Sequence, residues 1–501
     1  MIQEAIDEIP KVGHVSYLKN KQGIFVDTGA FKETSNHWMK TGKYCNELWG
    51  TPDWKDFWIA EKKKIMFGHT ISGVTITGEH YNYLNYCPIQ KSEDLGGGIG
   101  RKVKGFPDFW DGDYNYFWIR EIARNGILKN HPNLTPKERV DIYYMEPVAR
   151  EKELVRLVEE LNLMYDILPS KTVEGIRTDY LLGGHDVIVL KSRRKGFSFK
   201  NAAVGARNFQ HMPTSYTMLM AYEKKYLYPK GIFNMTMNYI NFVNEHTAFR
   251  MPSDYVRKQD HIRNSYKTYE DGVEIEKGFM SEVQAISFKD NPQAGVGKDC
   301  LDILGEEVGS WGTPGGLKDT VASMLPSVTD GDLRTGMMTL FGTANDISKG
   351  TVDFANMFEN VEMHTFLPFR DIWNDPNKVE GFFFPAQLNM ISHYDSDGNS
   401  NLQTATSAEL LTRRKKELAG ASATLLNKRK REFPLNSAEA LSSISFNDLP
   451  VEELKQRLTY VKKHSVNTVV GTPVTFYYEA GKIHAKPVLD GSHDPIHSYF
   501  D

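Results

Sequence analysis

One short stretch carries residue types that can bind a phosphate group. Residues 191 to 198 are Lys-Ser-Arg-Arg-Lys-Gly-Phe-Ser. A phosphate-binding loop needs a glycine turn whose N–H groups surround the anion, a lysine for the β/γ oxygens and a hydroxyl for Mg²⁺. Gly196 and Ser198 fit the glycine and the hydroxyl, but Phe197 stands where the lysine is usual. Lys191 can reach the same oxygens from the front of the loop. The alternative is a basic turn without a ligand.

A pair of acids follows a second apolar segment. Asp302-Ile303-Leu304-Gly305 leads directly into Glu306 and Glu307. ATP hydrolysis needs one carboxylate to hold Mg²⁺ and another to polarise the attacking water. Paired glutamates are more often solvated surface residues, and Gly305 weakens a strand. Their position downstream of the loop favours the catalytic interpretation.

The elements that position these residues are predicted from apolar patterns. Val187 to Leu190 form an apolar, mostly β-branched run typical of a buried parallel strand, and a helix is predicted from Phe199. Helical spacing also marks the segments from Leu154 and from Ile232. Further strands are predicted near residues 283–288, 303–304 and 337–341. This alternation predicts an α/β fold with a mostly parallel sheet flanked by helices.

The stretch at residues 191 to 198 resembles the deviant Walker A loop of large terminase subunits, the DNA-packaging motors of tailed bacteriophages. The similarity is strongest to the lambda-like form, Lys-Ser-Ala-Arg-x-Gly-Tyr-Ser. It implies a P-loop NTPase of the ASCE/RecA-like class with ATP and Mg²⁺ as cofactors. The implied ATP-binding residues are Lys191, Ser192, Arg193, Arg194, Lys195, Gly196, Phe197 and Ser198.

The resemblance also implies individual roles. Lys191 and Arg194 would act on the phosphates, Ser198 and Glu306 would hold Mg²⁺, and Glu307 would be the general base. Thr343, in the segment Met338 to Asn345, resembles the terminase coupling motif that senses the γ-phosphate. The segment 431–440 resembles the stretch that closes the terminase ATPase part, and 293–298 resembles another family segment.

Three regions are predicted along the chain. Residues 1–135 are an aromatic-rich N-terminal region, 136–400 the P-loop ATPase core, and 401–501 a basic helical linker or lid with a small α+β subdomain. In this last region Pro450 opens a predicted helix, and residues 474–478 and 482–486 form a predicted hairpin. The glycine cluster at 96–100 is predicted to be a flexible turn, because its spacing departs from GxGxxG.

Composition limits the classes of protein and site. The formal net charge of -4 excludes a global polycation, so nucleic-acid contacts must come from local basic patches. Cys45, Cys87 and Cys300 have no zinc-site spacing, which predicts a reducing compartment without a structural metal. Without a basic leader or a long apolar stretch, the chain is expected in the host cytoplasm, neither secreted nor membrane-bound.

Two features of the sequence after residue 400 concern the DNA-packaging function that the resemblance implies. Basic clusters at Arg413 to Lys416 and Lys428 to Arg431 either contact DNA or a neighbouring subunit, or solvate a helix face. Candidate arginine fingers in trans are Arg334, Arg370, Arg413 and Arg414. No strand with spaced carboxylates follows residue 446, so no nuclease activity is expected, either because the chain is shortened to the motor part or because the nuclease lies on another polypeptide.

The leading hypothesis is therefore an ATPase that drives double-stranded DNA into a procapsid. The resemblance implies a portal protein and a small terminase subunit as partners. It also implies a homo-oligomeric ring on the portal, with a monomer in isolation. The alternatives are a helicase-like ATPase and an inactive packaging scaffold or adaptor.

Overall fold

The computed structural model describes residues 23–95, 100–167, 183–252, 254–257, 260–289, 295–312, 316–344, 351–442, 472–479, 482–487 and 496–498. Contacts divide the chain into two compact units, Met1–Leu441 and Ser442–Asp501. Among the described residues no helix is long and apolar enough to cross a bilayer.

The described residues between 23 and 167 are mostly helical. The helices of this part are α1 (Glu33–Thr41), α2 (Pro52–Phe67), α3 (Gly78–Tyr86), α4 (Asp111–Asn130, interrupted at Gly126), α5 (Pro136–Tyr143) and α6 (Pro147–Glu160). Its strands are β1 (His69–Ile71), β2 (Val74–Ile76), β3 (Ile89–Asp94) and β4 (Gly100–Gly105), paired as two antiparallel hairpins. Threonine side chains cap the first turns of α2, α3 and α5, which fixes where these helices begin.

From residue 183 to 344 strands and helices alternate. In chain order they are β5 (Val187–Lys191), α7 (Phe197–His211), β6 (Tyr216–Ala221), α8 (Ile232–His246), β7 (Asp254–Arg257), β8 (His261–Arg263), β9 (Tyr266–Glu270), β10 (Val273–Lys277), β11 (Glu282–Ser287), β12 (Asp302–Glu306), α9 (Gly316–Met324), β13 (Thr329–Asp330), β14 (Leu333–Arg334) and β15 (Met337–Gly342).

The rest of the first unit adds one sheet strand and a helical segment. Its elements are α10 (Thr351–Glu359), β16 (Phe369–Arg370), β17 (Val379–Glu380), β18 (Phe382–Phe384), α11 (Leu402–Leu418), α12 (Ala423–Glu432) and α13 (Ser437–Leu441). Short 3₁₀ helices occur at Thr28–Lys32, Lys224–Tyr226, Val308–Ser310, Leu325–Val328 and Val361–Met363.

The central sheet has the strand order β18-β5-β15-β12-β6-β11-β8-β7. Neighbours from β18 to β11 are parallel, and β8 and β7 extend the far edge in antiparallel pairing. Every residue of β5, β6, β12 and β15 is buried, as expected for parallel strands covered on both faces. The predicted helices and strands near residues 154, 187, 232, 283, 303 and 337 are confirmed.

The loop strand and the acidic strand are separated by one strand. β15 pairs with β5 on one side and with β12 on the other, all three running in the same direction. Their carboxyl ends therefore lie along one sheet edge, where ligands bind in open α/β sheets. This is the predicted P-loop NTPase fold of the ASCE/RecA-like class.

The aromatic N-terminal region packs on the helices that flank the central sheet. All nine residues of α3 are buried, and Asn82 of α3 donates to the Ala203 carbonyl of α7. Trp38 meets Phe242 of α8 with ring centroids 5.1 Å apart. The helices after residue 400 also belong to the first unit. The boundaries predicted at 135 and 400 stay predictions.

The described part of the second unit is a three-stranded antiparallel sheet. Its strands are β19 (Thr472–Glu479), β20 (Lys482–Pro487) and β21 (Ile496–Ser498), in the order β20-β19-β21. Pairing of β19 with β20 confirms the predicted hairpin. The helix predicted from Pro450 and the glycine turn at 96–99 lie outside the described residues.

Candidate nucleotide site

The phosphate-binding stretch forms a turn between β5 and α7. Lys191 is the last residue of β5 and Phe197 the first of α7. Arg194 and Gly196 adopt left-handed backbone conformations, with φ values of 61° and 72°. Within the described part of the chain, the N–H groups of residues 194–196 donate no hydrogen bond. Free N–H groups in such a turn, followed by a helix N-terminus, form a concave surface suited to an anion.

Phe197 contributes its backbone but not its side chain to this surface. The ring is 2% exposed and packs edge-on against Tyr116 and Phe384, with centroids 4.8 and 5.1 Å away. An aromatic residue at this position therefore anchors α7 in the core. The cation that the usual loop carries here must come from elsewhere in the site.

Lys191 supplies a cation at the expected place. Its Nζ lies 2.7 Å from Oε1 of Glu307, the residue that follows β12. Oε2 of Glu307 accepts hydrogen bonds from the Thr343 N–H at 3.2 Å and the Thr343 hydroxyl at 3.1 Å. Burial raises the pKa of Glu307, but the Lys191 charge and these hydrogen bonds outweigh it and hold the pKa below its ordinary value. Glu307 is thus held as a carboxylate, the form that a general base requires.

The backbone of Glu307 is in an unusual conformation. Its φ and ψ are both 50°, in the left-handed region that a glutamate rarely adopts. The turn that it opens is closed by hydrogen bonds from the Ser310 N–H and hydroxyl to the Glu307 carbonyl. Such conformations cost about 1–3 kcal/mol and concentrate at functional sites, where the surrounding structure imposes them. Here it turns the Glu307 side chain towards Lys191 and Thr343.

Glu306 lies beside the hydroxyl of the loop. Ser198 Oγ donates to Glu306 Oε1 at 2.8 Å, while Glu306 Oε2 is buried with no hydrogen-bond partner among the described residues. Burial and then the Glu307 charge raise the pKa of Glu306 to about 8. A buried carboxyl group with an unsatisfied oxygen next to a hydroxyl suits a hard cation such as Mg²⁺, whose charge would hold the group as a carboxylate. Mg²⁺ takes few protein ligands and completes its shell with water and substrate phosphates. The residues present therefore fit the implied metal.

The other loop residues are tied to α12, to β18 and to the segment that follows β18. The Arg193 N–H donates to the Glu432 carbonyl at 2.9 Å, and Arg193 Nη1 lies 2.6 Å from Glu432 Oε1. Ser192 donates from its N–H to the Phe384 carbonyl. Lys195 Nζ donates to the carbonyls of Ala386 and Leu388 at 2.8 and 2.5 Å. The side chains of Arg193 and Lys195 are therefore engaged in holding the loop rather than free for a nucleotide.

Arg194 is different from its neighbours. Its side chain is exposed and makes no hydrogen bond or ion pair within the described part of the chain. It lines a cavity of about 890 Å³ that opens beside the loop. Aromatic side chains supply part of the cavity wall: Tyr83, Trp110, Phe199 and Tyr394. The cavity is large enough for a base and ribose next to phosphates held by the loop.

The structure does not bring the other candidate arginines to the loop. Arg334 pairs with Asp186, the residue before β5, at the opposite end of that strand. Arg413 is 9% exposed and bonds to Glu409, Glu439 and the Phe433 carbonyl. In this chain the Arg413 guanidinium is used inside its own helical segment, and its role as a finger in trans stays a prediction. Arg370 and Arg414 lie on the surface, close to acids of their own chain.

Sequence reasoning missed the residues that support the loop from below. Lys200 and Asn201 of α7 contact Asp113 and Tyr116 of α4, respectively. A lysine in the apolar first turns of a helix was the signal available, but its partner lies far away in sequence. Asn345, part of the predicted coupling turn, and residues 293–294 lie outside the described residues.

Comparison with known proteins gave weak structural likenesses. No family model matches the chain, and no curated protein matches it. Half of the chain is similar to the large terminase ATPase domain of Thermus phage P74-26, at 11% identity and a TM-score of 0.33, covering 87% of that domain. Half of it is also similar to the large terminase of bacteriophage HK97, at 12% identity and a TM-score of 0.31, covering 46% of that chain. A large terminase from a thermophilic bacteriophage, in complex with ADP, matches half of this chain at 9% identity and a TM-score of 0.29, with 47% of that chain covered. These likenesses are too weak to assign a function.

Proposed function

We propose that the chain is an ATPase whose site is formed by the loop after β5 and the acids after β12. The observation that carries this proposal is the position of Glu307, held as a carboxylate between Lys191 and Thr343 at the ends of three adjacent parallel strands. A base, a cation and a hydroxyl sensor converge there from separate segments. A basic turn without a ligand would not need this convergence.

In the proposed reaction the loop N–H groups and Lys191 hold the β- and γ-phosphates. The oxygen of a water molecule bonds to the γ-phosphorus, the bond from that phosphorus to the bridging oxygen breaks, and the water proton passes to Glu307. Mg²⁺ bound at Ser198 and Glu306 would neutralise charge on the phosphate oxygens. We assign Arg194, whose exposed side chain lines the cavity, to stabilise the developing charge in cis. The base and ribose would occupy that cavity.

We further propose that hydrolysis drives double-stranded DNA into a procapsid, as in large terminase subunits. The ordered set of loop, acids and coupling threonine supports this. Exposed or half-exposed cations of α11 and α12 offer a surface for DNA phosphates: Arg414, Lys415, Lys416, Lys428 and Lys430. Glu432, at the end of α12, bonds to Arg193 of the loop, which gives a direct connection between that surface and the nucleotide site. Portal and small-subunit partners and a ring of copies belong to the same proposal.

DNA-stimulated hydrolysis tests the motor part of this proposal. We expect linear double-stranded DNA to raise the ATPase rate of the full chain, and Lys428→Glu with Lys430→Glu to abolish the increase while leaving the basal rate. Lys137→Glu with Lys152→Glu, exposed lysines of α5 and α6, are the matched control. If DNA does not change the ATPase rate, the chain hydrolyses ATP without the proposed coupling to DNA. Equal loss in both double variants would show a nonspecific charge effect.

A further inference from the structure

Lys200 is a buried cation directly beneath the phosphate-binding loop. Its side chain is 1% exposed. The Nζ atom lies 2.7 Å from Asp113 Oδ1 of α4 and donates to the Lys195 carbonyl at 2.7 Å. It also lies 4.3 Å from the ring centroid of Phe197. One ammonium group thus joins the N-terminal region, the loop and the residue that replaces the usual loop lysine.

Neither charge of this pair is stable alone. The Lys200 and Asp113 side chains are 1% and 4% exposed, so water cannot solvate either charge. A buried ion whose partner is removed costs several kcal/mol, so the two groups depend on each other. Asn389 gives Asp113 Oδ1 a second hydrogen bond at 2.6 Å, which fixes the carboxylate. Lys200 is therefore held firmly enough to orient what it contacts.

Lys200 contacts the Lys195 carbonyl, and the orientation of this carbonyl sets the direction of the Gly196 N–H. The Lys195 carbonyl and the Gly196 N–H belong to one planar peptide unit and point in opposite directions. A carbonyl bonded inwards to Lys200 therefore turns the Gly196 N–H outwards, to the phosphate side of the loop. Gly196 is a glycine in the left-handed region, so its backbone gives little resistance to a flip of this peptide. A flipped peptide would present a carbonyl oxygen to the phosphates.

We propose that Lys200 is a positioning residue that keeps the 195–196 peptide in its phosphate-binding orientation, and that Asp113 of the N-terminal region holds Lys200 in place. This rests on the proposed nucleotide function of the loop. A second contact of the same kind supports it: Asn201 donates to the Phe197 carbonyl at 3.0 Å and accepts from the Tyr116 hydroxyl of α4 at 2.8 Å. The aromatic N-terminal region thereby acquires a role in ATP binding.

The test separates positioning from stability. Lys200→Met leaves Asp113 unpaired and destabilises the fold, whereas Lys200→Met with Asp113→Asn removes both charges and regains stability. Arg207→Met is the matched control, since Arg207 is a buried cation of the same helix that donates to the Ile65 and Met66 carbonyls, away from the loop. For each full-length variant, calorimetric titration gives the affinity for Mg²⁺-ADP and for pyrophosphate, and thermal unfolding gives the stability.

We expect both Lys200 variants to bind both ligands about 10- to 100-fold more weakly than the wild type, the range of a lost charge-assisted hydrogen bond. The double variant should keep this defect after its stability returns. Arg207→Met should lose stability and bind normally. If the double variant binds both ligands with wild-type affinity, or if Arg207→Met weakens binding equally, the positioning role of Lys200 is overturned. The proposed nucleotide site itself would stand. A wild type that binds neither ligand would overturn the proposed function and this inference with it.

Discussion

Lys191 Nζ lies 2.7 Å from Glu307 Oε1. The cation that is proposed to bind the phosphates thus contacts the carboxylate that is proposed to take the proton of the attacking water. On the proposed function, bound ATP competes with Glu307 for this cation. Movement of Lys191 to the phosphates would leave Glu307 held by Thr343 alone, with Oε1 available to a water molecule. Binding of substrate and exposure of the base would then be one event.

Replacement of Lys191 by alanine should affect both partners of this contact. ATP affinity and turnover should fall, with at least about a 10²-fold loss of rate because transition-state charge is no longer neutralised. The pKa of Glu307 should rise, because the Lys191 charge is what lowers it most. Steady-state hydrolysis against pH measures both effects. Lys225→Ala, at an exposed lysine away from the loop, should behave as the wild type.

Thr343 should contribute to the chemical step more than to binding. Its hydroxyl and N–H both bond to Glu307 Oε2, so Thr343→Val removes one of the two contacts that aim the base. We expect about a 10-fold lower kcat, of the order of one lost charge-assisted hydrogen bond, with little change in ADP affinity. Single-turnover hydrolysis and ADP titration separate the two. Thr343→Ser should retain activity, and a weaker ADP affinity with normal kcat in Thr343→Val would argue against this role.

Ser198 should make nucleotide binding depend on Mg²⁺. Its hydroxyl bonds to Glu306, whose other oxygen is buried without a partner among the described residues. We expect Mg²⁺ to strengthen ADP binding to the wild type and to have little effect on Ser198→Ala. The measurement is ADP titration with Mg²⁺ and with a chelator. Ser310→Ala, which removes a hydroxyl that donates to the Glu307 carbonyl and not to Glu306, is the control. Equal Mg²⁺ dependence in wild type and Ser198→Ala would rule out this metal ligand.

His80 should make the fold sensitive to acid. The ring lies between Phe109 and Phe117, with centroids 5.3 and 5.0 Å away, and both its nitrogens are buried without partners among the described residues. Burial, and then the Lys200 charge, lower the pKa of His80 to about 3. The unfolded chain takes up a proton near pH 6.5 and the folded one only near pH 3, so stability is lost as the pH falls through this interval.

The expected loss at pH 4.5 from this one group is about 3 kcal/mol. His80→Phe removes the titrating group and should reduce the difference in unfolding free energy between pH 7 and pH 4.5 by that amount. Urea unfolding at the two pH values measures it. An unchanged difference would mean that His80 is protonated alike in both states.

Most of the sheet could be predicted from sequence, because parallel strands buried on both faces leave continuous apolar runs such as Val187 to Leu190. The site residues followed from chemistry: a lysine at the front of a glycine turn, and two acids at the end of another strand. The structure joins Lys191, Glu307 and Thr343 by hydrogen bonds, and it pairs Ser198 with Glu306, the neighbour of Glu307 in sequence.

The support of the site could not be predicted in the same way. Asp113 and Lys200 are far apart in sequence, and Glu432 and Arg193 further still. Such pairs follow from the packing of one helix against another, which no local pattern records. The burial of Arg413 could not be predicted from the sequence either. Within a run of basic residues nothing distinguishes the one that is buried and paired with Glu439 from those that remain in solvent.

The role of Glu307 as the base is tested first by hydrolysis of Mg²⁺-ATP by the wild-type chain beside Glu307→Gln, at high protein concentration. Glutamine keeps the shape of the side chain but cannot take the water proton. We predict that the wild type turns over, and that Glu307→Gln binds ATP yet loses at least about 10²-fold in rate. Turnover of Glu307→Gln at the wild-type rate would contradict the assignment of the base. A wild type that neither binds nor hydrolyses ATP would contradict the nucleotide site itself.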